Sequence, residues 1–266
     1  MHGRHMGTRK QRTPGTKIAT TGGTSRAAAP AEERLVAGDF SPWLAETRRA
    51  QRLPTIGADV PCGTCTGCCR ASYFIHIRPD EKAALARIPR ALLFPAPGLP
   101  EGHVLMGYDK RGKCPMLVEE RCTIYAHRPQ TCRDFDCRVF AATGIALDGE
   151  GPQAGIAERV RQWRFELPGE RDRAELSAVQ AAGAFLLAEG ERFPPGALPA
   201  NPAQLAALAI RVYDLFAAAQ DATSGGARPS DAELARQVLA VLQARAADDE
   251  PERPRPPATR RAARRT

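Results

Sequence analysis

Outside residues 62–137 the 266-residue chain has no cysteine, although it holds eight in all. Aromatic residues make up only 6% of it. No run of 18 apolar residues occurs, so no membrane-spanning helix is expected. The first 30 residues contain six Lys or Arg and not one acidic residue. They also lack the apolar core of a secretory leader, which makes the cytoplasm the expected location, where thiols stay reduced. Missing too are a P-loop, a dinucleotide-binding glycine fingerprint and a Ser/His/Asp arrangement. Nucleotide-driven and serine-hydrolase chemistry therefore find no support in the sequence.

The formal charge is +8, but it is concentrated at the ends. The last 16 residues, PERPRPPATRRAARRT, hold six Arg against one Glu, and residues 31–250 carry a net −3. The segments 1–38 and 249–266 read as disordered basic tails, rich in Pro, Gly or Arg, that touch polyanions without sequence readout.

Between them the composition changes once. Residues 39–145 hold the cysteines and read as a metal-binding domain of short strands and helices; 146–248 reads as an Ala/Leu-rich helical region able to offer a surface to a protein partner. The fold class expected is α+β. In the first region, a helix from about 42 would use Ser41 as N-cap and Pro42 at its first position. SYFIHIR (72–78) alternates Tyr73, Ile75 and Ile77 against Phe74, His76 and Arg78, the period of a strand. PDEKAALARI (79–88) reads as a short helix, 89–102 as a Pro/Gly loop, HVLMGYD as a second strand and KRGK as a turn. In the second region the apolar spacing predicts helices near 153–165, 172–188, 202–219 and 230–246. Asn201 caps the third, and SDAE opens the fourth as a capping box.

Four cysteines, Cys62, Cys65, Cys68 and Cys69, fall within eight residues of DVPCGTCTGCC; Cys114, Cys122, Cys132 and Cys137 follow. Disulfides lack a secretory context, and a vicinal pair bonds only with a strained peptide. Packing alone does not explain cysteines clustered beside Gly, Thr, Pro and Arg rather than among aliphatics. Metal ligation does: Gly63 and Gly67 let the backbone curl so that thiolates at i, i+3 and i+6 converge. Residues 62–138 hold twelve Lys or Arg against eight acids, a positive setting for an anionic thiolate centre.

These residues resemble a known family. CGTCTGCC followed by GKCPML and RCTIYAHRPQTCRDFDC is similar to the bacterial cysteine-cluster family called YkgJ-like or CxxCxxCC, whose domain is described as zinc- or iron-chelating. The resemblance covers about residues 58–140. It implies a metal ion as partner and all eight cysteines, Cys62, Cys65, Cys68, Cys69, Cys114, Cys122, Cys132 and Cys137, as ligand candidates. It also marks Tyr125, Arg128 and Pro129 as motif positions. A flagellin lysine methylase shares a related cysteine pattern, so the resemblance also admits an iron–sulfur-dependent modifying enzyme; no separate methyl-donor motif is present.

The spacing C-x2-C-x2-C is that of ferredoxin-like clusters and favours an iron–sulfur cluster, most simply [4Fe-4S], with Zn as the alternative. Eight ligands serve one site with spare thiols, or two. His76, His103 and His127 are further ligand candidates, and Asp134 and Asp136 are candidate acceptors beside the thiols. Two function classes remain open: a chelating or structural module, and an enzyme using a cluster with an open coordination position.

Overall fold

The computed structural model describes residues 34–53, 57–58, 60–222 and 229–248. The chain enters as strand β1 (Leu35–Asp39) and runs straight into helix α1 (Phe40–Arg52). Residues 35–38, read from sequence as the end of a tail, thus form most of a strand; the rest of 1–38, apart from Arg34, and all of 249–266 lie outside the described residues. The helix starts one residue before the expected cap. Ser41 is buried in its first turn, and its backbone N–H donates to the Asp172 carboxylate at 3.0 Å. The cap is therefore supplied from 131 residues away, which no local reading reveals.

The cysteine-bearing stretch follows. β2 (Ile75–Ile77) is the predicted strand and α2 (Lys82–Leu85) is the core of the predicted short helix. β3 (Leu93–Pro95) lies in the stretch expected to be loop, and β4 (Val104–Met106) is the second predicted strand. They pair antiparallel in the order β2-β4-β3, with Ile75 opposite Met106, Ile77 opposite Val104 and Leu93 opposite Met106. Pro95 is tolerated because β3 is an edge strand, where a missing N–H costs no ladder bond. The inner face buries Ile77 and Met106 against Ala84, Ile88, Met116 and Ile124. In the predicted turn, the Asp109 carboxylate accepts the N–H groups of Arg111 and Lys113.

A two-residue hairpin comes next, β5 (Leu117–Val118) and β6 (Arg121–Cys122). Its turn residues Glu119 and Glu120 both have positive φ, 46° and 60°. Such turns usually advertise themselves by Asn-Gly or Asp-Gly, so a Glu-Glu pair gave no signal. Short helices α3 (Gln130–Asp134) and α4 (Arg138–Thr143) close the stretch.

The expected helix at 153–165 divides. It forms α5 (Ala154–Gln162) and then switches to strand β7 (Trp163–Glu166), which pairs in parallel with β1: Leu35 opposite Trp163, Asp39 opposite Glu166. The remaining helices are α6 (Glu170–Ala188), α7 (Pro202–Ala222) and α8 (Asp231–Asp248). Both N-caps read from sequence for the last two are present, while the Glu233 carboxylate of the expected capping box accepts from Arg236 and Gln237. Asn201 Oδ1 accepts the N–H groups of Ala203 and Gln204, and Ser230 Oγ accepts that of Glu233.

Helices α1, α6, α7 and α8 enclose the largest core, including Phe40, Trp43, Leu44, Val179, Leu186, Leu208, Val212, Leu234 and Val238. A second core joins Val60, Phe140, Ile156, Trp163 and Ala206, and so ties the cysteine-bearing stretch to the helices. The architecture is α+β, as the sequence predicts. Among the described residues no helix is long and apolar enough to cross a membrane.

Candidate metal centre

All eight cysteines are free. The first four lie on a turn that tightens into a 3-10 segment, Gly67–Arg70. Cys65 N–H donates to the Cys62 carbonyl at 3.0 Å, and Cys69 N–H to the Thr66 carbonyl at 3.0 Å. Gly63 has φ +56°, the left-handed conformation a side chain resists, as expected for a loop that curls its thiols inward. Gly67 is needed for a different reason. A Cβ there would stand 2.8 Å from the Gly155 carbonyl oxygen, so the glycine lets α5 lie directly on the loop.

The second stretch is stitched to the first through the backbone, since Cys114 N–H donates to the Cys69 carbonyl at 2.7 Å. Cys122 lies on β6 opposite Leu117, and both Cys114 and Cys122 pack on the Ile77–Met106 core. The third stretch brings Cys132 on α3. That helix is held from outside: Gln130 N–H donates to Glu81 Oε2 at 2.6 Å, and Thr131 Oγ1 to the His76 carbonyl at 2.7 Å. Cys137, just before α4, is buried in the second core, against which Cys62 also packs.

Electrostatics record how near these thiols are to one another. Burial pushes Cys132 up to about 12, with further increments from Cys68, Cys114 and Cys122. Burial likewise pushes Cys137 up to about 12, with Asp136, Cys62 and Cys65 adding to it and a hydrogen bond from Trp163 opposing it. Cys62 and Cys114 are raised, first by burial and then by neighbouring thiols. Cys68 is the exposed member, and its thiol is raised most by the hydrogen bond it shares with Cys69. Among the described residues no three His, Cys, Asp or Glu side chains already stand close enough to grip an ion.

The positive setting is narrower than composition suggests. Arg128 lowers the pKa of both Cys62 and Cys132, and its guanidinium stacks 4.0 Å from the centre of the Tyr125 ring. Tyr125 itself is exposed. Arg70 pairs with Glu120, and Arg138 with Asp136. His76 and His103 bond to each other, Nε2 to Nδ1 at 2.8 Å, with their rings stacked. Asp136 is structural: its carboxylate is buried and accepts from Trp43 Nε1 at 2.9 Å and from the Arg138 side chain. Asp134 is half-buried, which raises its pKa, and accepts from Gln130 Nε2.

Two contributors escaped the sequence reading. Trp163 Nε1 donates to Cys137 Sγ at 3.2 Å, and an Arg159 guanidinium nitrogen donates to the Cys62 carbonyl at 3.1 Å. Both follow the cysteine motifs by more than twenty residues, in what reads as an ordinary amphipathic helix, so only tertiary packing exposes them.

No curated protein and no solved structure shows significant similarity to the chain. A family model does match, and it spans every cysteine. Residues 61–148 match the model of the CxxCxxCC family, described as a “Putative zinc- or iron-chelating domain”.

Proposed function

We propose that the chain chelates its metal through thiols drawn together from three stretches, 62–69, 114–122 and 132–137, and that the resident group is an iron–sulfur cluster. The observation that carries this reading is the placement of cysteines from separate stretches against one another: Cys114 N–H donates to the Cys69 carbonyl, and Cys62 packs on the core that buries Cys137. Cys132 is raised by Cys68, Cys114 and Cys122, and Cys137 by Cys62 and Cys65. An Arg128 that favours the ionised form of Cys62 and Cys132 suits a centre that holds several thiolates. The donor set fits: it is all sulfur, and the backbone already ties two of the stretches together, Cys114 N–H donating to the Cys69 carbonyl at 2.7 Å. A cluster bound there would supply redox or Lewis-acid chemistry, and these residues would hold it and shield it on the Cys137 side.

The spacing of the first three cysteines supports iron–sulfur over zinc, because a structural zinc ion prefers two separate Cys pairs. Purification without oxygen tests it. The expected product is brown, with iron and acid-labile sulfide in comparable amounts and visible absorption that bleaches on reduction. A colourless protein with stoichiometric zinc and no sulfide would replace this reading by a structural zinc module, because zinc has no redox chemistry.

A further inference from the structure

The chain has two tryptophans, and their indole N–H groups land on consecutive residues. Trp43 donates to Asp136 and Trp163 to Cys137 Sγ. Trp163 lies beyond residue 148, where the family match ends. It does not act alone. Four contacts pass from the segment 153–163 to the cysteine-bearing stretch. Gln153 Nε2 donates to the Tyr73 hydroxyl at 3.2 Å, and the Gly155 carbonyl lies flush on Gly67. Arg159 donates to the Cys62 carbonyl while its guanidinium stands 5.8 Å from the centre of the Trp163 ring. Trp163 completes the set at Cys137, with both residues buried, at 3% and 8% exposure.

We propose that the segment from Gln153 to Trp163 is a built-in outer wall of the metal centre, with Trp163 as the positioning residue that orients the Cys137 sulfur and Arg159 as the one that fixes the Cys62 turn. This rests on the metal-chelating reading above. The chemistry of the donor gives it direction. An indole N–H donates and never accepts, so it favours the sulfur when that sulfur carries most charge. A thiolate bound to a metal carries more charge than a thiol. The Trp163 bond therefore strengthens on loading and holds the Cys137 sulfur in one orientation. Partners of this kind orient metal ligands, and their loss typically weakens metal affinity about 10- to 100-fold. The wall also couples ion and fold, because Trp163 opens the strand that pairs with β1.

The test uses the full chain, reduced and stripped of metal, titrated with Zn²⁺ against a competing chelator. Trp163→Phe keeps the ring and removes the N–H; Arg159→Gln removes the guanidinium. The expected result is affinity about 10- to 100-fold weaker in Trp163→Phe, with a smaller loss in Arg159→Gln. Tryptophan emission should change on loading in the parent protein and stay flat in Trp163→Phe, where Trp43 is the remaining reporter. A loss of packing alone would not separate the two emission responses. Melting of the metal-free variants shows whether each folds; if Trp163→Phe does not, Arg159→Gln carries the test by its affinity. A parent that loads zinc, with variants of equal affinity and unaltered emission response, overturns the wall and leaves chelation standing. A parent that takes up neither zinc nor, when purified without oxygen, iron overturns chelation itself.

Discussion

The two halves of this protein solve the problem of staying folded in opposite ways. From residue 60 to residue 143 no helix runs beyond six residues and no strand beyond three. Beyond residue 169 the three α-helices run 18 to 21 residues and share a continuous apolar core. Helices and hairpins as short as those of the first half are not stable by themselves. Its sheet core is small, built around Ile77 and Met106. The lesson is that the second half can rely on burial, whereas the first has little apolar core, a deficit that an ion held by its thiols as proposed would offset.

Removing the metal is the strongest way to break that comparison. Metal binding contributes on the order of 10–16 kcal/mol in small structural zinc modules. Chelation should therefore expose amides between residues 60 and 148 to hydrogen exchange while those of α6 and α7 stay protected. Simultaneous loss of protection in both halves would mean that they are one cooperative unit and that the contrast is wrong.

The seam between the halves comes next. Asp136 and Arg138 form a buried ion pair at 2.8 Å, and truncating Asp136 removes a buried carboxylate to which both Arg138 and Trp43 Nε1 donate. Asp136→Ala should cost about 3–5 kcal/mol, seen as a lower denaturation midpoint in the metal-loaded protein. Within the helical half, Leu186→Ala should cost about 2–5 kcal/mol yet leave metal stoichiometry unchanged. If its metal content fell with its stability, the helical half would be part of the site's support rather than independent of it.

Acidity distinguishes the two states of the first half. Cys132 and Cys137 stand at about 12 in the metal-free protein, above the value of about 8.5 for a free thiol. A raised thiol pKa stabilises the metal-free fold below about pH 8.5, and that contribution is lost as pH rises towards 12. The metal-free chain should accordingly lose stability above about pH 8.5, while the loaded chain, whose thiols are already ionised, should not. Loading should also release protons into a weakly buffered solution and weaken as pH falls. The smallest effect is expected at a surface cap: Asn201→Ala should cost roughly 0.5–2 kcal/mol in a melt, with no change in metal content.

Much of this was legible in the sequence, and the reasons are local. The cysteine spacing, the caps at Asn201 and Ser230, and the alternation of Ile75 and Ile77 with exposed Phe74 are all short-range patterns. The β1–β7 ribbon was not legible, because WRFE follows a helical pattern without a break and its partner lies more than a hundred residues away. The hairpin at Glu119–Glu120 lacked the usual turn residues. At the site, the ligand candidates could be read, but the residues that hold them could not. Arg159 and Trp163 carry no motif, and Glu81 reaches α3 only because the β2 region folds back on it.

The parallel pairing of Leu35 with Trp163 also bears on how the chain folds. It closes a loop that contains every cysteine, and loop closure costs entropy that grows with the logarithm of length. An ion that ties Cys62 to Cys137 takes most of that loop out of the count before the strands meet. A metal held as proposed would then act as a clock as well as a clamp: ribbon formation should be faster in a chain refolding with its ion than without. Stopped-flow refolding followed through Trp163 would read the difference, and equal rates in the two conditions would remove the ion from the folding pathway while leaving it in the finished protein.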